Sequence, residues 1–256
     1  MQSEVNKRRV ARQKKTRKRR LKIALIFFLI IALITLAILC FTYFFPVKRI
    51  SITGSKIYTK SQIVKASGLT TDDQLFTLSQ DKIESDLRKS LPYIDSVKIK
   101  RVLPDAVVIN VTDAKEQAFY KKGKTYNTIS DKGYILKQQN KKPENLFEIV
   151  TSGIDGKVGT QAKYKNSAEQ ELVQNLITEL TKQKITIDKI DVSNILEISV
   201  NVEDRFTVII GSDEYLSEKI AHLASMIDSI ADRSGKINLS MWTPQNSQGT
   251  FIEDKN

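Results

Sequence analysis

Residues 91–111 read LPYIDSVKIKRVLPDAVVINV. Val97 and Ile99, then Val107, Ile109 and Val111, recur at every second position, the period of a half-buried strand. Pro104 and Asp105 between the two runs carry turn chemistry, so the stretch predicts a β-hairpin. Upstream, VKRISIT at 47–53 places Val47, Ile50 and Ile52 on a first strand that Gly54 ends. Thr59 or Ser61 can cap a short helix carrying Ile63, Val64 and Ala66, and Gly68 closes it. Asp72 or Asp73 can cap a second helix. Its apolar positions Leu75, Leu78, Ile83, Leu87 and Leu91 keep helical spacing up to Pro92. Tyr93 and Ile94 are expected to pack where that helix meets the next strand. The order is strand, helix, helix, strand, strand.

Beyond Ala118 the pattern shifts to short strands punctuated by glycines 123, 133, 153, 156 and 159. Residues 126–129 and 134–136 flank a turn at Asp131, Lys132 and Gly133. A helix over 167–183 sets Leu172, Leu176, Ile177 and Leu180 on one face. Strands follow near 187–192, 195–202 and 206–210. A second helix over 215–231 buries Leu216, Ile220, Leu223, Ile227 and Ile230. A last strand spans 236–242, and a polar tail follows.

In the other direction from the hairpin lies IALIFFLIIALITLAILCFTYFF, residues 23–45, without a charge. At about 1.5 Å per residue such a helix crosses a hydrocarbon core of about 30 Å. Phe41, Tyr43, Phe44 and Phe45 suit the far interface. A secretory signal has a shorter apolar run and a small-residue cleavage site, which this stretch lacks. Bulky Leu39 before Cys40 disfavours lipidation. Residues 1–22 hold eleven basic side chains and one acid, so of the net charge of +12 the other 234 residues carry only +2. Lys and Arg resist translocation, which predicts a cytoplasmic N-terminus and residues 46–256 outside. The tail can also touch anionic lipid. A basic nucleic-acid binder would spread its charge over a folded face, whereas here it sits beside a span.

Catalytic chemistry finds little support. One Cys and one His exclude disulfide frameworks and Cys/His zinc sites. His222 lies within a helix without a partner motif, and reads as a surface or helix-packing residue. Ser79 and Lys82 form an isolated S-x-x-K. Residues 153–157, GIDGK, lack the spacing of a phosphate loop and read as a turn. The carboxylates of Asp72 and Asp73 fit a helix cap, and Asp188 and Asp191 flank a strand.

Tail, single span, small αβ module and β-rich domain, in this order, resemble the DivIB/FtsQ family of cell division proteins. The module resembles a POTRA domain through FPVKRISITG (45–54), Ile57 and Tyr58, SGL (67–69), Leu75 and Phe76, and above all residues 91–111. The second half resembles the family's β domain through YNTISDKGYIL (126–136), Ile187 with Ile190, FTVIIG (206–211), YLSEKI (215–220) and GKINLS (235–240). Asp113–Ala114, LFEIVTSG (146–153) and Asn238–Leu239–Ser240 depart from the family pattern. The resemblance implies a non-enzymatic scaffold at the division septum that uses no cofactor. It implies partners of two kinds, FtsL-like and DivIC/FtsB-like single-span proteins.

The expected fold class is therefore α+β. The basic tail covers 1–22 and the transmembrane helix 23–45. A POTRA-like domain covers 46–116, a mixed β-sheet domain with two helices 117–242, and a polar tail 243–256. A membrane-anchored envelope hydrolase or protease is the alternative, and a nucleic-acid binder driven by the tail is a third reading. A strand at a sheet edge offers unpaired N–H and C=O groups to a partner. The last strand, Lys236, Ile237, Asn238, Leu239, Ser240, Met241 and Trp242, is the candidate, because only a polar tail follows it. Alternation puts Ile237, Leu239 and Met241 toward the core and Trp242 on the opposite face, free to anchor an incoming chain. The other reading of Trp242 is closure of the domain's own core.

Overall fold

The computed structural model describes residues 22–40, 45–230 and 233–254. Helix α1, Lys22–Cys40, is long and apolar enough to cross a membrane, as expected. Of the expected interfacial aromatics, Phe41, Tyr43 and Phe44 lie outside the described residues. Phe45 leaves the span: it packs against the first core, and its ring meets Phe76 edge-on at 5.4 Å between centroids.

The first core belongs to the module read from the hairpin. Strand β1 (Arg49–Thr53), helices α2 (Lys60–Ser67) and α3 (Gln80–Ser90), and strands β2 (Ile94–Val102) and β3 (Ala106–Asp113) follow the expected order. The sheet order is β1-β3-β2, with β1 parallel and β2 antiparallel to β3. Ile63, Leu75, Leu87, Ile94, Val97 and Ile109 are buried between helices and sheet. Thr59 caps α2 reciprocally with Gln62, and Gly68 closes it in the left-handed conformation. Gly54 has φ 100°, and a Cβ there would lie 2.0 Å from the Val111 carbonyl oxygen. Only glycine fits. Next to it, the Asp113 carboxylate accepts from the Ser55 hydroxyl and the Lys56 and Ile57 amides, which fixes the loop after β1.

The second helix starts later than its spacing suggests. Ser79, not Asp72 or Asp73, caps α3, accepting from the Lys82 N–H. The Asp73 carboxylate instead closes a turn with Thr70, and the Asp73 carbonyl accepts from Val47 N–H. Leu75 and Leu78 are buried from this irregular segment rather than from a helix face.

The second core lies under a nine-stranded mixed sheet. Its strands are β4 (Glu116–Lys122), β5 (Thr125–Ser130), β6 (Ile135–Gln139), β7 (Phe147–Val150), β10 (Ile187–Asp191), β11 (Ile198–Val202), β12 (Phe206–Gly211), β13 (Gly235–Asn238) and β14 (Thr250–Glu253). A two-stranded ribbon, β8 (Ile154–Asp155) and β9 (Lys163–Tyr164), leads into α4 (Ser167–Lys182), while α5 (Leu216–Ser229) links β12 to β13. The spatial order is β14-β13-β12-β11-β10-β7-β4-β5-β6. Both helices bury the expected leucine and isoleucine faces. GIDGK contains β8 rather than a plain turn, and Asp155 in it pairs with Lys122 at 2.6 Å.

The two sheets meet through a short link. β3 runs into β4 with only Ala114 and Lys115 between them, and Ala114 is buried with its N–H donated to the Tyr93 carbonyl. The Tyr93 hydroxyl donates to Glu116, and burial, then that carboxylate, pushes the phenol well above its ordinary pKa. Lys132 reaches Asp95 at 2.7 Å, and the Arg88 guanidinium lies 4.4 Å over the Tyr134 ring. Gly159 sits against the α3 backbone, where a Cβ would be 2.5 Å from the Arg88 carbonyl oxygen.

Two outcomes follow. Ile94 is 1 % exposed, so Ile94→Asp buries an unpaired charge and costs upwards of about 4 kcal/mol. Hydrogen exchange across 45–113 should then rise to unprotected rates, while Lys98→Asp on the exposed side of the same strand leaves protection intact. The second concerns Asp188, whose carboxylate accepts from the Asp204 N–H in the β11–β12 turn. Burial raises its pKa, and the carboxylates of Asp204 and Glu203 raise it further. A carboxyl with a folded pKa above its unfolded value costs stability once ionised, and the cost disappears as pH falls below both values. Asp188→Asn keeps the acceptor. It should raise the melting temperature at pH 7 and lose that advantage as pH falls through the carboxylate range.

Candidate partner-binding edge

The strand expected at the rim is internal. β13 pairs in parallel with β12 on one side and antiparallel with β14 on the other. The last residues, expected to form a polar tail, thus include a strand. The ladder of β13 ends at Asn238. The Asn238 side chain then accepts from Ser240 N–H and the Leu239 carbonyl from Trp242 N–H, so the chain turns. This turn breaks the alternation. Ile237 and Leu239 are buried as expected, but Met241 is 81 % exposed and Trp242 is buried at 7 %. The expected faces of Met241 and Trp242 are therefore exchanged, and Trp242 closes the domain's own core. Its ring lies 5.8 Å from that of His222, the packing role read for this histidine. The indole N–H finds no acceptor among the described residues, so apolar contact holds it. Lys236 and Asn238 point outward, and Ser240 is half-buried.

Two strands terminate the large sheet, and they differ. At β6, Ile135 is already occupied: its N–H donates to the Thr160 carbonyl and its carbonyl accepts from Gly159 N–H. The rest of β6 carries Lys137, paired with Glu116 at 3.2 Å, and two glutamines. A lysine on a rim and a covering loop are the usual protections of an edge. β14 has neither. Asp254 N–H donates to the Ser234 carbonyl, so in an antiparallel ladder Ile252 and Thr250 also face β13, and the N–H and C=O of Phe251 and Glu253 turn outward. No described residue pairs with that outer side. Ile252 is 61 % exposed, while Phe251 packs edge-on to Phe206 at 6.2 Å. The edge is thus four residues of accessible backbone with an exposed isoleucine on it. Exposed Met241 lies in the turn that follows the neighbouring strand.

The features weighed for catalysis have structural partners. Ser79 is the α3 cap, and Asp191 accepts from the Ser193 hydroxyl and N–H. An open cleft of about 370 Å³ is lined by Asp188, Asp204, Arg205 and Asp254 among others, and one of about 360 Å³ lies between α3 and Tyr134. Among the described residues no group of His, Cys, Asp and Glu side chains is placed to hold a metal ion. The missed residues are those of β14. Phe251 and Ile252 were its only apolar signal, too short to read as a strand.

Comparison with known proteins agrees with this architecture. The family profile for the POTRA domain, FtsQ-type, matches residues 45–113. The chain is 26 % identical over 223 residues to the cell division protein DivIB of Clostridium tetani, covering 83 % of each chain. It is 28 % identical over 202 residues to DivIB of Clostridium acetobutylicum, covering 77 % of this chain and 80 % of that one. The cell division protein FtsQ of Streptomyces coelicolor is 23 % identical over 211 residues, 79 % of this chain and 78 % of the relative. Residues 45–113 are thus similar to the FtsQ-type POTRA domain, and 77–83 % of the chain is similar to the cell division proteins DivIB and FtsQ.

Proposed function

We propose that this protein is a bitopic scaffold of the division machinery that holds small single-span division proteins at the septum and thereby supports septal wall synthesis. It is not an enzyme in this reading. Its basic tail is cytoplasmic and residues 46–256 lie outside. The partners are of the DivIC/FtsB-like and FtsL-like kinds, and an extracellular segment of one adds a strand to β14. The observation that carries this is the outward row of backbone groups at Phe251 and Glu253 beside exposed Ile252. A partner strand pairs there without disturbing the native ladder. Residues 236–242 then support the site from behind: β13 templates β14, and Met241 adds an exposed apolar contact near its start.

Backbone substitution tests the site. Glu253→Pro removes an outward N–H and leaves the ladder to β13, a position where an edge tolerates proline. Capture of the purified partner should weaken at least tenfold, the scale of one or two lost hydrogen bonds, with an unchanged melting temperature. Trp242→Ala should behave oppositely and lower stability by about 3–5 kcal/mol as a core truncation. Undiminished capture by a folded Glu253→Pro protein would remove β14 from the interface. For topology, protease added to intact wall-less cells should digest residues 46–256, and their protection would show the opposite orientation.

A further inference from the structure

The base of the POTRA module gathers several exposed apolar side chains. The β2–β3 turn lies at the end where the chain enters from α1, since Lys48 and Arg49 N–H both donate to the Asp105 carbonyl and Arg49 pairs with Ala106. The Arg101 guanidinium donates to the carbonyls of Leu75 and Leu78 at 2.8 and 2.7 Å, which brings the irregular segment before α3 to the same end. Phe76 in that segment stacks edge-on against Phe45. Large apolar side chains are consequently exposed together at this end: Leu103 at 57 %, Phe76 at 39 % and Val102 at 38 %. Lys48 and Lys100 are exposed beside them. The acids of this end are largely engaged, Asp105 with Arg49 at 2.8 Å and Asp73 with Thr70, leaving Asp72 exposed.

Chain length states what faces this surface. α1 ends at Cys40, and Phe45 already belongs to the module. Five Cα–Cα links span at most about 18 Å whatever their conformation. A 19-residue helix is about 28 Å long, close to the hydrocarbon thickness of about 30 Å. With a headgroup layer of about 5–7 Å on each side, the module's base therefore cannot leave that layer by more than about 10 Å.

We infer that this end of the module is seated on the bilayer surface, with Leu103, Val102 and Phe76 at the boundary of headgroups and acyl chains and Lys48 and Lys100 among the lipid phosphates. The inference rests on α1 being the membrane anchor. Aromatic and aliphatic side chains with adjoining cations are the composition that holds a peripheral surface at that depth. Seating fixes the tilt of the module, and through the short link to β4 it directs the whole exterior part away from the membrane.

The test uses the full chain in lipid nanodiscs of phosphatidylcholine, with and without phosphatidylglycerol. Cys40→Ser leaves no native thiol, and Leu103→Cys carries a nitroxide whose power saturation is read with oxygen and with a water-soluble nickel chelate. Oxygen should dominate at 103, and the chelate should dominate for a label at Leu196→Cys in the β10–β11 loop. Val102→Asp, alone and with Phe76→Ser, should return the 103 label to the aqueous value at an unchanged melting temperature. Chelate dominance at 103 in both lipids overturns the inference. So does shielding from both reagents, which marks a protein contact. A label at Ile31→Cys within α1 separates the two readings. Aqueous behaviour at 31 defeats the anchor itself, whereas lipid burial at 31 with an aqueous 103 defeats only the seating.

Discussion

Ala114 and Lys115 are the whole of the covalent connection between the two sheets, and what lies beyond them inherits the direction in which β3 points. The link is buried and hydrogen-bonded at Ala114 and flanked by Tyr93 with Glu116, Lys132 with Asp95, and Arg88 over Tyr134. Each exposed pair contributes little by itself. Their placement around one short hinge with close backbone contact at Gly159 leaves the β domain few orientations. The rim at β14 is thereby held in a defined relation to the POTRA module.

The large sheet treats its two rims differently. One rim is covered by the 157–162 loop and carries a lysine, while the other carries an isoleucine and open backbone groups. An undefended edge is an aggregation hazard, retained where a specific strand occupies it. The shortness of β14 limits the hazard, since four residues template a short pairing only.

Local chemistry was legible in the sequence, and nonlocal pairing was not. Thr59 and Gly68 delimit α2, Pro104–Asp105 turns the hairpin, and both long helices show their faces, because each signal needs only neighbours a few positions away. The start of α3 was misread because Leu75 and Leu78 keep helical spacing while their backbone is claimed by Phe45 and Arg101 from elsewhere in the chain. The rim of the sheet was expected at β13, whereas β14 forms it. A strand as short as β14 is defined by its register with Lys236 and Ile237, and the alternation that placed Trp242 outside ended at a turn made by the Asn238 side chain.

Lys219 is only 1 % exposed, and its ammonium donates to the Ile210 and Ser212 carbonyls at 3.0 Å each, tying α5 to the end of β12. Burial pushes its pKa down, so once uncovered the amine is ordinary and as it stands it is unreachable. Amine-directed chemistry, whether a laboratory acylating reagent or a metabolic acyl donor, can therefore modify this position only when α5 lifts from the sheet. Where reclosing outpaces the reagent, the rate of its modification is that of a free lysine scaled by the population of the opened state, and so measures that population.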